Sequence, residues 1–109
     1  MRRNRRSLEA HVLKAKNRKE KALAHYELGL FHDNNNRERE AIPNYMKAIS
    51  LGLKPVLKAQ ALAWLASSLY KTGSQKKARV KLQAAIRITR DPNLRKFLNQ
   101  LDRRLSKKR

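Results

Sequence analysis

The sequence predicts an all-α protein, and three observations support that expectation. Ala, Leu, Lys and Arg, which favour helices, dominate the 109 residues, whereas Gly and Pro occur only three times each. Apolar residues recur at spacings of three and four, which is typical of amphipathic helices. Residues that end or cap helices separate these stretches at short intervals. At this length we expect one domain with a modest hydrophobic core.

The N-terminal segment, residues 1–21, is predicted to be a basic helix or arm. Ser7 is a candidate helix cap, and a thin apolar stripe of Leu8, Val12 and Ala15 follows it. The stripe fades in the polar residues that come next, so the residues alone leave both alternatives open. The segment carries nine Lys or Arg against two Glu.

Two helices joined by an Asn-rich turn are predicted next. The first begins at Ala22 and ends at the turn Asp33–Asn36, because Asn tolerates the left-handed backbone that terminates helices. Pro43 lies inside the second helix, which must therefore begin close to residues 38–40, where a missing N–H is best tolerated. Gly52 is the predicted end of that helix.

The third helix opens at Pro55 and is apolar on nearly every side. Between Gln60 and Thr72 its single charged residue is Lys71. A helix that is apolar all round is expected to be buried by neighbours on several sides. Gly73 is the predicted stop signal of this helix.

Two helices complete the predicted order. The fourth has small and apolar residues at helical spacing, which are Ala78, Leu82, Ala85 and Ile86. Asp91-Pro92 opens the fifth, with Asp in the capping position and Pro as the first helical residue. The predicted buried stripe of the fifth helix contains Leu94, Phe97, Leu98, Leu101 and Leu105.

Two segments of the chain repeat each other 37 residues apart. The matching positions of the first are His25, Leu28, Gly29, His32, Asn36, Ala41, Tyr45 and Ala48. The corresponding positions of the second are Leu62, Leu65, Ala66, Leu69, Gly73, Ala78, Leu82 and Ala85. Helix–turn–helix units that recur about every 34 residues are typical of tetratricopeptide repeats. Over residues 22–92 the chain resembles that family.

The resemblance is closest at positions where the family has small residues that let helices approach. These positions hold Leu28-Gly29, Ala41, Ala48, Gly73, Ala78 and Ala85, while Tyr45 and Leu82 fall at the large apolar position. His25 and Leu62 depart from the usual Trp, and His32 and Leu69 depart from the usual Tyr. The repeat is also about three residues longer than is usual, in the connection between repeats.

The resemblance implies a right-handed stack of antiparallel helix hairpins with a C-terminal capping helix. The expected organisation is the N-terminal segment 1–21, a first repeat at 22–58, a second repeat at 59–91, and the capping helix with a basic tail at 92–109. It also implies a non-catalytic protein–protein interaction scaffold. A two-repeat fold leaves an open end that a second copy could cover, so a homodimer is one expected state.

An enzyme, a metal protein or a cofactor-binding protein is not predicted. The acidic residues are explained as cap, first-turn or surface residues, and they form no pair suited to acid–base chemistry. His25 and His32 stand about 10 Å apart along one helix face, so packing in the core is the better interpretation than metal binding. There is no Cys and no apolar run of about 20 residues, so we expect an intracellular, cytoplasmic protein without disulfides or a membrane span.

A peptide-binding groove is implied by the resemblance, lined by the first helix of each repeat. The predicted groove residues are Tyr26, Leu30, Asp33, Ala63, Ser67, Tyr70 and Lys71. Tyr26 and Leu30 stand where chaperone-tail binders of the family carry Lys and Asn, so that clamp is absent and a different protein or peptide is expected. The alternative for Tyr26 and Tyr70 is packing against flanking helices. Trp64 is expected to be a core residue.

The charge indicates a polyanionic or acidic partner. The formal net charge is +20, far above the magnitude of about 2 to 8 that solubility requires of a small domain. The predicted polyanion-binding residues are Arg2, Arg3, Arg5, Arg6, Lys76, Lys77, Arg79, Lys81, Arg87 and Arg90. An acidic protein or peptide is the first expectation. Nucleic acid or a ribosomal surface, bound without sequence specificity, is the alternative.

Overall fold

Six α-helices make up the part of the chain that the computed structural model describes, residues 4–107, and this part contains no strand. The chain divides after Leu53 into two units. The N-terminal unit contains α1 (Arg5–Lys14), α2 (Arg18–Asn34) and α3 (Glu38–Leu51). The C-terminal unit contains α4 (Pro55–Lys71), α5 (Gln75–Ile88) and α6 (Pro92–Lys107). The prediction of an all-α fold of helix hairpins is therefore confirmed.

The 37-residue period of the sequence is also the period of the helices. The helices α4 and α5 begin and end 37 residues after α2 and α3. The period extends beyond the two repeats, because α6 begins 37 residues after α4 and α1 ends 37 residues before α3. In repeat order, α1 is thus the second helix of a preceding repeat and α6 is the first helix of a following one.

The helix boundaries follow the local sequence. Pro55 and Pro92 are the first residues of their helices, as predicted. Asn36 adopts a left-handed backbone with φ 59°, and Gly73, at the equivalent turn, has φ 90°. At the start of α1 the prediction was wrong in detail, since the cap is Asn4 and not Ser7. The Asn4 side chain accepts a hydrogen bond of 2.8 Å from the Ser7 N–H.

The N-terminal unit is held together by the α2–α3 hairpin, with α1 packed against α2. Tyr45 of α3 is fully buried against α2 (0% exposed), and its hydroxyl donates a 2.9 Å hydrogen bond to the Asp33 carboxylate. Its ring lies so close to Gly29 that a Cβ atom there would be 2.7 Å from the ring carbons. Leu8 of α1 is also buried, so the segment 1–21 contains a packed helix.

The C-terminal unit has α4 packed against both α5 and α6. Most residues of α4 from Ala59 to Leu69 are buried, as expected for a helix with apolar residues on several faces. The helix α6 differs, because its apolar residues form a single stripe. One further face of α4 is apolar and buried, and it consists of Leu62, Leu65, Ala66 and Leu69. The equivalent positions of α6 are polar or charged, and they hold Asn99, Asp102, Arg103 and Ser106. This polar face makes α6 suited to end a repeat array.

The close approach of Gly29 and Tyr45 gives a first testable prediction. The variant Gly29→Ala should lose about 1–3 kcal/mol of unfolding free energy, because the buried ring must shift to admit a methyl group. The second hairpin has Ala66 and Leu82 at the equivalent positions. We therefore expect Gly29→Ala to cost much less when Tyr45→Leu is already present.

The measurement is a double-mutant cycle, with urea unfolding of the parent, both single variants and the double variant. A cost of Gly29→Ala that is the same with and without the Tyr45→Leu substitution would contradict the assigned contact.

The buried Tyr45 hydroxyl gives a second prediction, on alkaline stability. Burial, followed by the neighbouring Asp33 charge, raises the pKa of Tyr45 far above its ordinary 10.0. The folded protein then retains a proton that the unfolded chain releases above about pH 10. The contribution of this tyrosine to stability is therefore complete below that pH and is lost progressively above it.

The test compares the parent with Tyr45→Phe in urea titrations from neutral to strongly alkaline pH. At neutral pH the variant should be less stable by about 1.5–3 kcal/mol, because it loses a hydrogen bond to a charged group. Above about pH 10 this difference should shrink, while deprotonation of the lysines affects both proteins alike. If the unfolding free energies of the two proteins differ by the same amount at every pH, deprotonation of Tyr45 does not contribute to the alkaline loss of stability.

Candidate functional site

The predicted groove residues of the N-terminal unit are largely occupied in packing. Tyr26 is only 6% exposed, and its ring centre lies 6.2 Å from that of Tyr45. Asp33 accepts the hydrogen bond from the Tyr45 hydroxyl. Leu30 is half-buried. These side chains support the α2–α3 hairpin, which is the alternative that the sequence left open for Tyr26.

Three predicted groove residues of the C-terminal unit lie together at a small cavity, here called the α4–α6 pocket. Four residues of α6 complete its lining. The full lining is Ser67, Tyr70, Lys71, Phe97, Gln100, Leu101 and Arg104. Ala63, the remaining predicted residue of this unit, is fully buried and is not part of the lining.

The pocket forms because α6 crosses the face of α4 that carries Trp64. The Trp64 and Phe97 rings meet edge to face, with centres 5.4 Å apart and planes at 61°. Trp64 is half-buried, not fully buried as a core residue would be. On α4, Ser67 and Lys71 are one turn apart, so both reach the same side of this contact. On α6, Phe97 and Arg104 are two turns apart, and both line the pocket.

The size of the pocket limits what it can hold. Its volume is about 70 Å³. Sites for small organic ligands measure about 300–1,000 Å³, whereas a water molecule in the liquid occupies about 30 Å³. The pocket is therefore suited to one side chain of a partner and not to a nucleotide or a cofactor.

The chemistry of the pocket is aromatic and cationic. Tyr70, Phe97 and Leu101 supply apolar surface, and Ser67 and Gln100 supply neutral hydrogen-bonding groups. Lys71 and Arg104 are both exposed, and no acidic residue belongs to the lining. An apolar side chain next to a carboxylate would match this combination.

A larger cavity of about 430 Å³ lies where the start of α4, the end of α5 and the start of α6 meet. Its lining is Pro55, Val56, Ala59, Gln60, Ile88, Thr89, Arg90, Asp91 and Leu94. The sequence did not reveal this cavity, because three helix ends form it and no motif marks them.

Thr89 and Asp91 of that cavity already have hydrogen-bond partners. The Asp91 carboxylate accepts a hydrogen bond from the Asn93 N–H at 2.9 Å. The Thr89 hydroxyl accepts from the Asp91 N–H, and its carbonyl accepts from the Arg95 guanidinium at 2.8 Å. The larger cavity therefore offers mainly apolar surface and no arrangement for acid–base chemistry.

The predicted polyanion-binding residues are distributed over both units. Arg2 and Arg3 lie outside the described residues. Arg5 and Arg6 are exposed on α1, and Arg5 pairs with Glu9 at 3.3 Å. On α5 and just beyond its end, Lys81 is half-buried and the other five cations are exposed, which are Lys76, Lys77, Arg79, Arg87 and Arg90.

The contribution of α6 to the α4–α6 pocket was not predicted from the sequence. The sequence predicted α6 as a capping helix with one apolar stripe, and Phe97, Gln100 and Arg104 were therefore not among the predicted groove residues. The signal that could have identified them is the period, because Phe97 and Arg104 fall 37 residues after Gln60 and Ser67 on α4. A helix in the position of a repeat's first helix is expected to contribute to the same surface.

His25 and His32 occupy packing positions, whereas His11 is exposed. His32 is 3% exposed, and burial, with a smaller effect of Arg5, lowers its pKa. His25 Nδ1 lies 3.0 Å from Asn44 Oδ1. Within residues 4–107 no three His, Asp or Glu side chains are grouped so that they could hold a metal ion. No helix in the same range combines the length and apolar character that crossing a bilayer requires.

Comparison with known proteins identifies the repeat. A family model described as Tetratrico peptide repeat matches residues 22–101, which cover both hairpins except the start of α2, and the greater part of α6. Neither the curated proteins nor the solved structures gave a match. The match includes α6, in agreement with the helix period that places α6 at the start of a third repeat. The two helix hairpins, their 37-residue period and this match together show that the chain belongs to the tetratricopeptide repeat family.

Proposed function

We propose that this protein is an interaction scaffold that binds an acidic peptide or an acidic segment of a protein in the α4–α6 pocket. Repeats of this family are typically non-catalytic scaffolds, and protein binding is the function that the family suggests. The proposal of an acidic partner is supported by the positions of Lys71 and Arg104, which both line a cavity large enough for one side chain.

The proposed contact combines an apolar anchor with charge. An aromatic or aliphatic side chain of the partner would contact Tyr70 and Phe97, in the manner of an interface hot spot. A neighbouring Asp or Glu would reach Lys71 or Arg104, and Arg can hold a carboxylate with two parallel hydrogen bonds. Because both cations are exposed, they should contribute more to specificity and association rate than to affinity.

A second candidate function, polyanion binding through the basic outer face and termini, is favoured by the uneven charge. Residues 54–109 contain 16 Lys or Arg and two Asp, so the C-terminal unit carries +14 of the +20 total. Neutralising phosphates by such a surface releases bound counterions, which makes affinity strongly dependent on salt. Nucleic acid and ribosomal surfaces are partners of this chemistry.

The peptide proposal is tested by reversing the two pocket cations. The double variant Lys71→Glu/Arg104→Glu should bind acidic peptides about ten- to a hundredfold more weakly, since each tenfold corresponds to about 1.4 kcal/mol. The probe is an array of acidic peptides in which a single aromatic or aliphatic residue is flanked by Asp and Glu, followed by titration of the best binder by fluorescence anisotropy.

The matched control is Lys54→Glu/Lys77→Glu, which changes the net charge equally at exposed residues of the same unit that do not line the pocket. We expect this control to bind the best peptide like the parent. An equal loss in both variants would show that general charge attraction, and not the pocket, determines binding. Absence of any binder in the array would refute the peptide proposal.

A further inference from the structure

Three of the four exposed cations of α5 gather on one side of that helix. Ala78, Leu82 and Ala85 are buried against the rest of the unit. At 100° per residue, the three cations fall within an arc of about 80° on the side away from these buried residues. They are Lys76, Arg79 and Arg87, and the exposed Arg90 follows just beyond the end of α5, after the extended Thr89.

The helix α6 extends this cationic surface, because it lies alongside α5 and runs in the opposite direction. Near the start of α5 the Arg79 guanidinium donates to the Ser106 hydroxyl at 3.4 Å. Beyond its end, the Arg95 guanidinium donates to the Thr89 carbonyl at 2.8 Å. Arg95 therefore lies on the α5 side of α6. Two further exposed cations, Lys96 and Arg103, lie on the outer side of α6, opposite its buried leucines. We call the seven residues the basic band, and they are Lys76, Arg79, Arg87, Arg90, Arg95, Lys96 and Arg103.

Little negative charge opposes the basic band. The C-terminal unit has two acidic residues in its sequence, Asp91 and Asp102. Asp91 caps α6 through its hydrogen bond with the Asn93 N–H. Asp102 is half-buried and has a carboxylate oxygen withdrawn from solvent. The band therefore presents concentrated positive charge to the solvent.

The composition of the band distinguishes between classes of partner. A protein interface usually has an apolar or aromatic centre from which charge is depleted, but the outer face of α5 offers only Val80, which is 64% exposed. Single-stranded nucleic acid is bound largely by stacking of bases on aromatic side chains. The aromatic residues of this unit, Trp64, Tyr70 and Phe97, belong to the α4–α6 contact and its pocket, not to the band.

We infer that the basic band binds the phosphate backbone of a double-stranded nucleic acid, without reading its sequence. The inference rests on the second proposed function, polyanion binding, and assigns it a surface and a partner. From Lys76 to Arg87 the part of the band on α5 is about 16 Å long at 1.5 Å per residue. A B-form duplex of that length carries roughly ten phosphate charges, so the number of cations and the number of phosphates are comparable.

Arg95 and the α4–α6 pocket lie on different sides of α6. Phe97, Gln100 and Arg104 line the pocket, whereas Arg95 makes a hydrogen bond to the α5 side. Arg95 and the band residues of α5 can therefore contact a duplex while the pocket holds an acidic peptide. A scaffold with these two sites would hold an acidic protein next to a nucleic acid.

The test measures binding of a short mixed-sequence duplex by fluorescence anisotropy over a salt series, once with RNA and once with DNA. The band variant is Lys76→Gln/Arg79→Gln/Arg87→Gln/Arg90→Gln. Its control is Lys19→Gln/Lys21→Gln/Arg39→Gln/Lys47→Gln, which removes the same charge from exposed positions of the N-terminal unit.

For the parent we expect duplex binding that weakens about a thousandfold between about 50 and 200 mM salt if six phosphates are contacted. The band variant should bind at least about tenfold more weakly at low salt, and its salt slope should be shallower by about 0.9 for each contact removed. The control should retain the parent's slope. If the RNA and the DNA duplex both bind, the protein recognises the phosphate backbone whatever the duplex geometry. If only one of them binds, the protein also recognises the geometry of that duplex. Both results support the inference.

Three results would overturn the inference. One is no duplex binding at low salt, and another is an equal loss in the band variant and its control. The third is tighter binding of the matching single strand or of polyglutamate than of the duplex. The pocket variant Lys71→Glu/Arg104→Glu changes the net charge by as much as the band variant does, and it should lose less duplex affinity than the band variant. This comparison separates a failure of the band from a failure of the peptide proposal.

Discussion

Burial of α4 against both α5 and α6 is the constraint on which the C-terminal unit depends. A charged residue placed on the buried faces of α4 would cost several kcal/mol unless it found a partner. The cations in the described part of this unit accordingly lie on α5 and α6, between these two helices, or near the ends of α4. The same packing sets α6 across α4 at the Trp64–Phe97 contact. Both the α4–α6 pocket and the basic band are consequences of where α6 lies.

The two units share a repeat, but only the C-terminal unit contains the α4–α6 pocket. Ser67, Tyr70 and Lys71 of the pocket correspond in the repeat to Leu30, Asp33 and Asn34, which carry no cation. In the N-terminal unit Asp33 instead holds the buried Tyr45 hydroxyl. In this hairpin Tyr45 packs against Gly29, and its hydroxyl is carried into the core, where it needs a hydrogen-bond partner. The groove position Asp33 supplies that partner and so contributes to stability. In the hairpin with alanine and leucine at the positions equivalent to Gly29 and Tyr45, the corresponding groove positions Ser67, Tyr70 and Lys71 line the α4–α6 pocket.

Much of the fold could be predicted because its determinants are local. Pro55, Pro92 and Gly73 mark helix boundaries through backbone chemistry that needs no tertiary contact. The candidate site was less accessible to sequence reasoning. Ser67, Tyr70 and Lys71 were found through the repeat, but the residues of α6 that face them were not, since an amphipathic stripe shows which side is buried and not which neighbour covers it.

The sequence by itself determined the helical class, the 37-residue repeat, the family resemblance and the excess of positive charge, since composition, spacing and turn chemistry are properties of the chain. Only the tertiary structure decided that Tyr26 is buried and that Trp64 is half-buried against Phe97. It also decided that cations from two helices form one band. These features depend on which helix faces meet, and that is set by packing between residues distant in the sequence.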